Sequence, residues 1–293
     1  MTLQPAPLRS IGEVHAELIE RGIFTKSMVG TVDKCPIRLG LRHGWITGTE
    51  EKHVPGFAAA YGGLNHGLIE TWASREIRGE LLPYEEVRQL LHDRWPGAMQ
   101  GADGVPPPSH RDGYVDRLVA LHRQWRAIHR KGYYGKLVGT ERSYGYDGSV
   151  LLGGIPIAGH VDLLYERAVL DPKTCNQRSG YRKPGPFTYE LAHYSALTGL
   201  PDAGFVPHVH DLAVPKTEVA LITVTEQAKQ VAACKLERVA ELVSKAKQSP
   251  GVLTPPPEGP MSGIGKGLCT PRFCGYFGTV CPVTKHLKRE DFA

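Results

Sequence analysis

The chain has 293 residues, 41% hydrophobic and 22% charged, enough for one large domain or two small ones. Its 35 Lys and Arg against 30 Asp and Glu leave a formal charge of +5, a mild basic excess that suits a polyanionic partner. No apolar run approaches the ~20 residues of a membrane helix, and the first ten residues, Met1 to Ser10, carry no signal-peptide core, so the expectation is a cytoplasmic protein without a membrane segment. In that compartment the six cysteines are expected as metal ligands or free thiols, not disulfides.

Apolar residues at Ile11, Val14, Leu18 and Ile19 have helical spacing, so a helix is expected from Ile11 to Gly22. Ser27 to Gly44 holds Cys35 among several basic residues, and Pro55-Gly56 opens a helix carrying His66. Further helices are expected from Glu85 to Trp95 and from Asp112 to Lys131. The loop between them, Pro96 to Ser109, contains Pro106-Pro107-Pro108 and is a surface connection or a lid. Leu137 to Tyr146, Ile155 to Tyr165 and Val169 to Lys173 read as strands, and Phe187 to Thr198 as a helix. Glu218 to Val224 reads as a strand and Glu226 to Gln248 as a long amphipathic helix. A proline-rich link from Pro250 to Pro260 leads to a cysteine-rich tail. Strands flanked by helices predict an α/β fold with a mixed central β-sheet.

The most informative stretch is Gly159-His160-Val161-Asp162-Leu163-Leu164-Tyr165-Glu166-Arg167-Ala168-Val169-Leu170-Asp171-Pro172-Lys173. Two apolar runs flank a charged turn at Glu166-Arg167, a hairpin pattern. Folded symmetrically about that turn, Asp162 lies opposite Asp171 and His160 opposite Lys173, and alternation along a strand places all four on one face. Like charges directly opposed across a ladder are destabilising, and a hard divalent cation would remove that penalty by binding carboxylate oxygens. Lys173, two residues from Asp171, is placed to hold a water or an anionic oxygen nearby. Paired acids, a metal and a lysine suit metal-assisted hydrolysis of a phosphodiester. An ordinary surface hairpin with a solvated charged face is the alternative.

Three cysteines crowd the C-terminus as C-x4-C-x6-C (Cys269, Cys274, Cys281), and Cys35 lies far upstream before Pro36. Four thiolates can hold an iron–sulfur cluster or a structural zinc. Cys175 and Cys234 read as ordinary thiols.

The order G-x-x-D, turn, D-x-K resembles the PD-(D/E)XK nuclease superfamily, whose motif falls here on Asp162, Asp171 and Lys173. The RecB-like branch adds a histidine in a G-x-x-x-H context, matched by Gly62 to His66, and Q-x-x-x-Y on the helix after the lysine strand. In this chain Tyr194 is present and Glu190 stands where glutamine is usual. One N-terminal cysteine with three near the C-terminus resembles the iron–sulfur members of that branch, the AddB-type and CRISPR-adaptation-type exonucleases.

The resemblance implies a metal-dependent DNA exonuclease serving recombination, repair or phage DNA processing, bacterial or phage-encoded, beside a recombination or strand-annealing partner. It implies Mg²⁺ or Mn²⁺ held by His66, Asp162, Asp171 and the backbone carbonyl of Pro172, with Lys173, Tyr194 and Glu190 also in the catalytic site. It implies a [4Fe–4S] cluster on Cys35, Cys269, Cys274 and Cys281, with Zn²⁺ as the alternative. Glu141, on the strand before the hairpin, matches an acid the family often carries; a solvated edge charge is the other reading. Arg178, Arg182 and Lys183 form a basic run that could follow a DNA backbone. The implied organisation is an N-terminal helical region (1–135) containing Cys35 and His66, a nuclease core (136–250) and a cysteine tail (251–293) that closes onto the N-terminal segment. Glu190 in place of glutamine leaves open a second class: a catalytically weak, cluster-stabilised DNA-end-binding subunit of a larger complex.

Overall fold

The computed structural model describes residues 11–48, 55–185, 188–253 and 281. Cys269 and Cys274 lie outside the described residues, as does the link beyond residue 253. In chain order the elements are α1 (Ile11–Glu20), β1 (Phe24–Thr25), α2 (Lys26–Lys34), α3 (Pro36–Arg42), α4 (Phe57–Ile77), α5 (Tyr84–Met99) and α6 (Arg111–His129). Then come β2 (Leu137–Tyr144), β3 (Leu151–Leu152), β4 (Ile155–Tyr165), β5 (Ala168–Cys175), α7 (Thr188–Thr198), β6 (Asp202–Val209), β7 (Lys216–Thr217), β8 (Ala220–Thr223) and α8 (Glu226–Gln248).

Local chemistry sets many of these boundaries. The Thr25 hydroxyl accepts from the Met28 N–H and caps α2, and Thr225 caps α8 in the same way through Ala228, each satisfying one of the orphan N–H groups of a helix start. Cys35 is extended; it ends α2 and precedes α3, whose first residue is Pro36, the position where a missing N–H costs nothing. The expected helix stop at Pro96 does not occur. α5 runs on to Met99, because Trp95 and Met99 both bury on the core side and that burial offsets the proline's lost hydrogen bond.

The sheet is mixed, and among the described residues it has eight strands. β2 and β4 are antiparallel, from Leu137 opposite Tyr165 to Tyr144 opposite Gly159. Regular pairing of β4 with β5 is short: Leu163 with Leu170 and Leu164 with Val169. β1 pairs in parallel with β4 further back, at Ile157 and Ala158. β5 and β6 are parallel over eight residues, from Ala168 opposite Asp202 to Cys175 opposite Val209, with α7 as the crossover that parallel pairing requires. β6 was not evident in the sequence. It is buried on both faces, so it shows no alternation, and Gly204 and Pro207 interrupt its apolar run.

Helices cover both faces. On one, Leu18, Met28, Leu191, Leu197, Leu236 and Val239 pack with Val161, Val169 and Phe205. On the other, α4, α5 and α6 bring Tyr61, Trp72, Leu91 and Trp125 against Leu163, Tyr165, Leu170 and Val206. Each such fully buried side chain contributes about 1.5–3 kcal/mol. A third, smaller cluster joins Ile37, Leu41, Ala246, Leu253 and Cys281, with Cys35 packed against it. Gly159 allows one close approach: a Cβ there would come 3.0 Å from Leu197 Cδ1, so the glycine lets α7 lie against β4.

Candidate metal centre

The hairpin folds with the expected symmetry. Leu163 opposes Leu170, so Asp162 and Asp171 are the next residues outward on β4 and β5, where regular pairing of the two strands stops. On the other side of β4, Thr140 opposes Leu163 and Arg142 opposes Val161, which sets Glu141 across from Asp162. Three carboxylates from three adjacent strands therefore form a row: Glu141, Asp162, Asp171. Glu141 has φ of 49°, in the left-handed region, a conformation that costs a non-glycine residue on the order of 1 kcal/mol or more and that clusters at functional sites.

His66 covers one end of the row. α4 is seated over β5 by a hydrogen bond from Asn65 Nδ2 to Thr174 Oγ1 (2.8 Å), and His66 Nε2 then lies 3.3 Å from both Glu141 Oε1 and Asp162 Oδ1. One ring N–H cannot serve two carboxylates, and Glu141 Oε1 is buried without a hydrogen-bond partner. The ligand atoms of His66, Glu141 and Asp162 all lie within 4.8 Å of one another. An imidazole nitrogen and two carboxylate oxygens at that spacing, one oxygen unsatisfied, fit a divalent cation.

Lysines cover the other end. Asp171 is fully buried. Its Oδ2 accepts from Lys173 Nζ (2.7 Å), Lys26 Nζ (3.0 Å) and the Tyr194 hydroxyl (2.8 Å), and Asp171 stands outside the ligand group formed by His66, Glu141 and Asp162. Lys26 also bonds the Tyr194 hydroxyl, lies 4.2 Å from that ring's centre and is 4.0 Å from Glu190. Glu190 thus faces an ammonium group, and it also accepts from the Tyr189 hydroxyl (3.2 Å). Pro172, between Asp171 and Lys173 on β5, is buried.

Charge follows environment along the row. Burial pushes Glu141 up to about 7, and the Asp162 carboxylate adds to the effect. Burial and the neighbouring Asp171 likewise raise Asp162. Burial would raise Asp171 too, but the Lys173 and Lys26 ammonium groups outweigh it and hold that carboxyl well below the ordinary range. Contact with Asp162 raises His66. One carboxylate stays ionised and its neighbours resist ionising, as like charges in close contact require.

The resemblance puts Tyr194 in the catalytic site, and its hydroxyl is on Asp171. His160 does not reach across to Lys173, because β4 and β5 have parted; it bonds Ser143 Oγ (3.1 Å) and packs on Tyr146. Arg182 is tied to Glu218, with Nη2 2.8 Å from Oε1, while Arg178 and Lys183 are exposed. Cys35 and Cys281 share the third apolar cluster, although 246 positions separate them in the chain. Burial pushes the Cys175 thiol up to about 11, so it is inert at neutral pH, and Cys234 is exposed on α8. The residue that sequence reasoning missed is Lys26. It follows a two-residue strand and lies 145 positions from Asp171, with no local pattern to mark it.

No protein-family model matches the chain, and no curated protein does. Among the described residues no helix is long and apolar enough to cross a membrane.

Proposed function

We propose that this chain is a divalent-metal-dependent DNA exonuclease of the RecB-like, PD-(D/E)XK type. The observation that carries the reading is the carboxylate row Glu141–Asp162–Asp171, with a histidine at one end and Lys173 at the other. In this reading His66, Asp162, Asp171 and the Pro172 carbonyl hold Mg²⁺ or Mn²⁺, and Glu141 joins them. The bound ion supplies Lewis acidity and a more acidic water.

The chain's own groups do the rest. Lys173 presents three N–H donors beside the row, placed to hold the attacking water or to stabilise charge developing on the phosphate. Tyr194 and Lys26 fix the Asp171 carboxylate. Glu190 lies 4.0 Å from Lys26, which moderates its repulsion toward a phosphate.

The same reading gives Cys35, Cys269, Cys274 and Cys281 to a structural [4Fe–4S] cluster, with Zn²⁺ as the rival occupant. Packing of Cys35 and Cys281 in one cluster supports a clamp between the chain's two ends. DNA is the substrate, and a recombination or strand-annealing protein is the expected partner.

The test is release of acid-soluble nucleotides from a linear duplex in Mg²⁺ or Mn²⁺, compared with EDTA and with a covalently closed circle. Metal-dependent degradation of the linear duplex alone is expected. No hydrolysis of any DNA in either metal would overturn the reading.

A further inference from the structure

β7 and β8 pair with β6 in a single register. Thr217 opposes His208 and Ala220 opposes Phe205. Between them the Glu218 N–H donates to the Pro207 carbonyl (3.0 Å), and beyond them the Val224 N–H donates to Pro201 (2.7 Å). In an antiparallel pair, successive residues turn their N–H and C=O alternately toward and away from the partner strand. Glu218 and Val224 face β6, so Ala220 and Ile222 do as well. Thr217, Val219, Leu221 and Thr223 present theirs to the opposite side, where no described strand lies.

One end of this outer edge is already occupied. Gln124 of α6 accepts from the Thr217 N–H (2.7 Å) and donates to the Pro215 carbonyl (2.7 Å), as a neighbouring strand would. At the other end α8 begins, with Thr225 as its cap. Between them remain the outward backbone groups of Val219, Leu221 and Thr223, which bond no described residue. The segment Val219-Ala220-Leu221-Ile222-Thr223 has no charge and no proline, and its register shows no bulge. Those are the devices that keep an exposed edge from pairing. Leu221, at its centre, is 40% exposed.

The symmetry of this free window identifies its occupant. A twofold axis beside Leu221 sets the segment antiparallel to itself, with Val219 opposite Thr223 of the second copy. Every outward N–H then meets an outward C=O, as a self-complementary interface requires. Opposed residues in such a ladder share a face, so the two exposed Leu221 side chains cover each other. The same axis carries Lys216 of each copy toward Glu226 of the other. These side chains are 59% and 87% exposed, and within their own chain they pair with Glu218 (2.9 Å) and Lys229 (2.8 Å). Surface pairs of that kind hold a side chain weakly. An unrelated strand would have to match both the length of the window and this order of charges.

We propose that two copies of this chain associate by antiparallel pairing of β8 with β8, which joins their sheets into one about a twofold axis at Leu221. The proposal is independent of the nuclease reading.

Sedimentation velocity of the full chain between about 1 and 100 μM, a range suited to a short interface, is expected to show the mass of one chain giving way to that of two. Leu221→Pro removes an N–H that faces outward and none that β6 uses, a change that edge strands accept. Leu221→Lys keeps the backbone donor and puts charges together on the axis. Each variant, with an unchanged circular dichroism spectrum, is expected to weaken association by about tenfold or more. Lys216→Glu is expected to weaken it several-fold, and adding Glu226→Lys is expected to recover the loss. The mass of one chain at every concentration overturns the proposal and leaves the edge to a strand of another protein. A dimer that survives both Leu221 substitutions also overturns it, because the contact then lies elsewhere. A charge reversal that the second exchange does not restore overturns the twofold register.

Discussion

Exchanging either central aspartate for asparagine removes one charge from the row, and the structure separates the two outcomes. Asp171 is the shared counter-ion of Lys26 and Lys173, at 3.0 and 2.7 Å, and is itself fully buried. Asp171→Asn leaves two ammonium groups on a neutral amide. Removing one partner of a buried pair costs about 3–5 kcal/mol. The two lysine side chains are 23% and 24% exposed, so water recovers part of this, and about 3 kcal/mol is the expected loss. For a chain of this size that lowers Tm by roughly 6–12 °C. Asp162 stands differently: burial and Asp171 both disfavour its ionisation. Asp162→Asn removes a repulsion and leaves His66 its contact with Glu141, so stability is expected to hold or to rise by up to about 1 kcal/mol. The assay is thermal denaturation in EDTA at pH 7.5, followed by circular dichroism. Both variants are expected to lose hydrolysis completely. Equal falls in Tm, or a larger fall for Asp162→Asn, would refute the charge assignment along the row.

Three further outcomes can be measured. His122, His208 and His193 are buried, and burial depresses their pKa to about 3, 3 and 4. The folded values lie below the unfolded value near 6.5, so stability is full above pH 6.5 and is lost as pH falls toward 4. Between pH 7.5 and 5.5 each residue removes about 1.3 kcal/mol, roughly 4 kcal/mol together; Glu141, raised to about 7, offsets part of this, and a urea midpoint that does not fall over that range in Glu141→Gln would contradict their neutral burial. Lys173→Ala is expected to lower the hydrolysis rate by about 10² or more while calorimetric Mn²⁺ affinity stays near wild type; lost metal binding would make the lysine structural. Protein purified without oxygen is expected to be brown, with about four irons per chain. Serine at Cys35 or Cys281 should bleach it and lower Tm, while serine at exposed Cys234 should do neither. Colourless protein with stoichiometric zinc would reject the cluster.

What the sequence determined by itself is mostly what neighbouring residues determine together. Helical spacing marks α1 and α8 because burial of one helix face repeats every few residues. The hairpin of β4 and β5 could be registered from its turn, because a one-residue slip would reverse every side chain's face, and that register opposes Asp162 to Asp171. His66 and Tyr194 stood out only through their resemblance to family motifs, G-x-x-x-H and Q-x-x-x-Y.

Tertiary structure decided the rest. β6, buried on both faces, carries no period to read, and its pairing with β5, β7 and β8 makes it a strand. The position of Glu141 is likewise tertiary: β2 sets it across from Asp162, and α4 brings His66 within 3.3 Å of both. Lys26 arrives because a two-residue strand pairs with β4 behind the point where β5 leaves it, and its partner Asp171 lies 145 positions away. The same holds for Cys35 and Cys281, whose shared cluster joins distant parts of the chain. Contacts closed over long loops are chosen by the stability of the whole packed core, and no short window of residues encodes them.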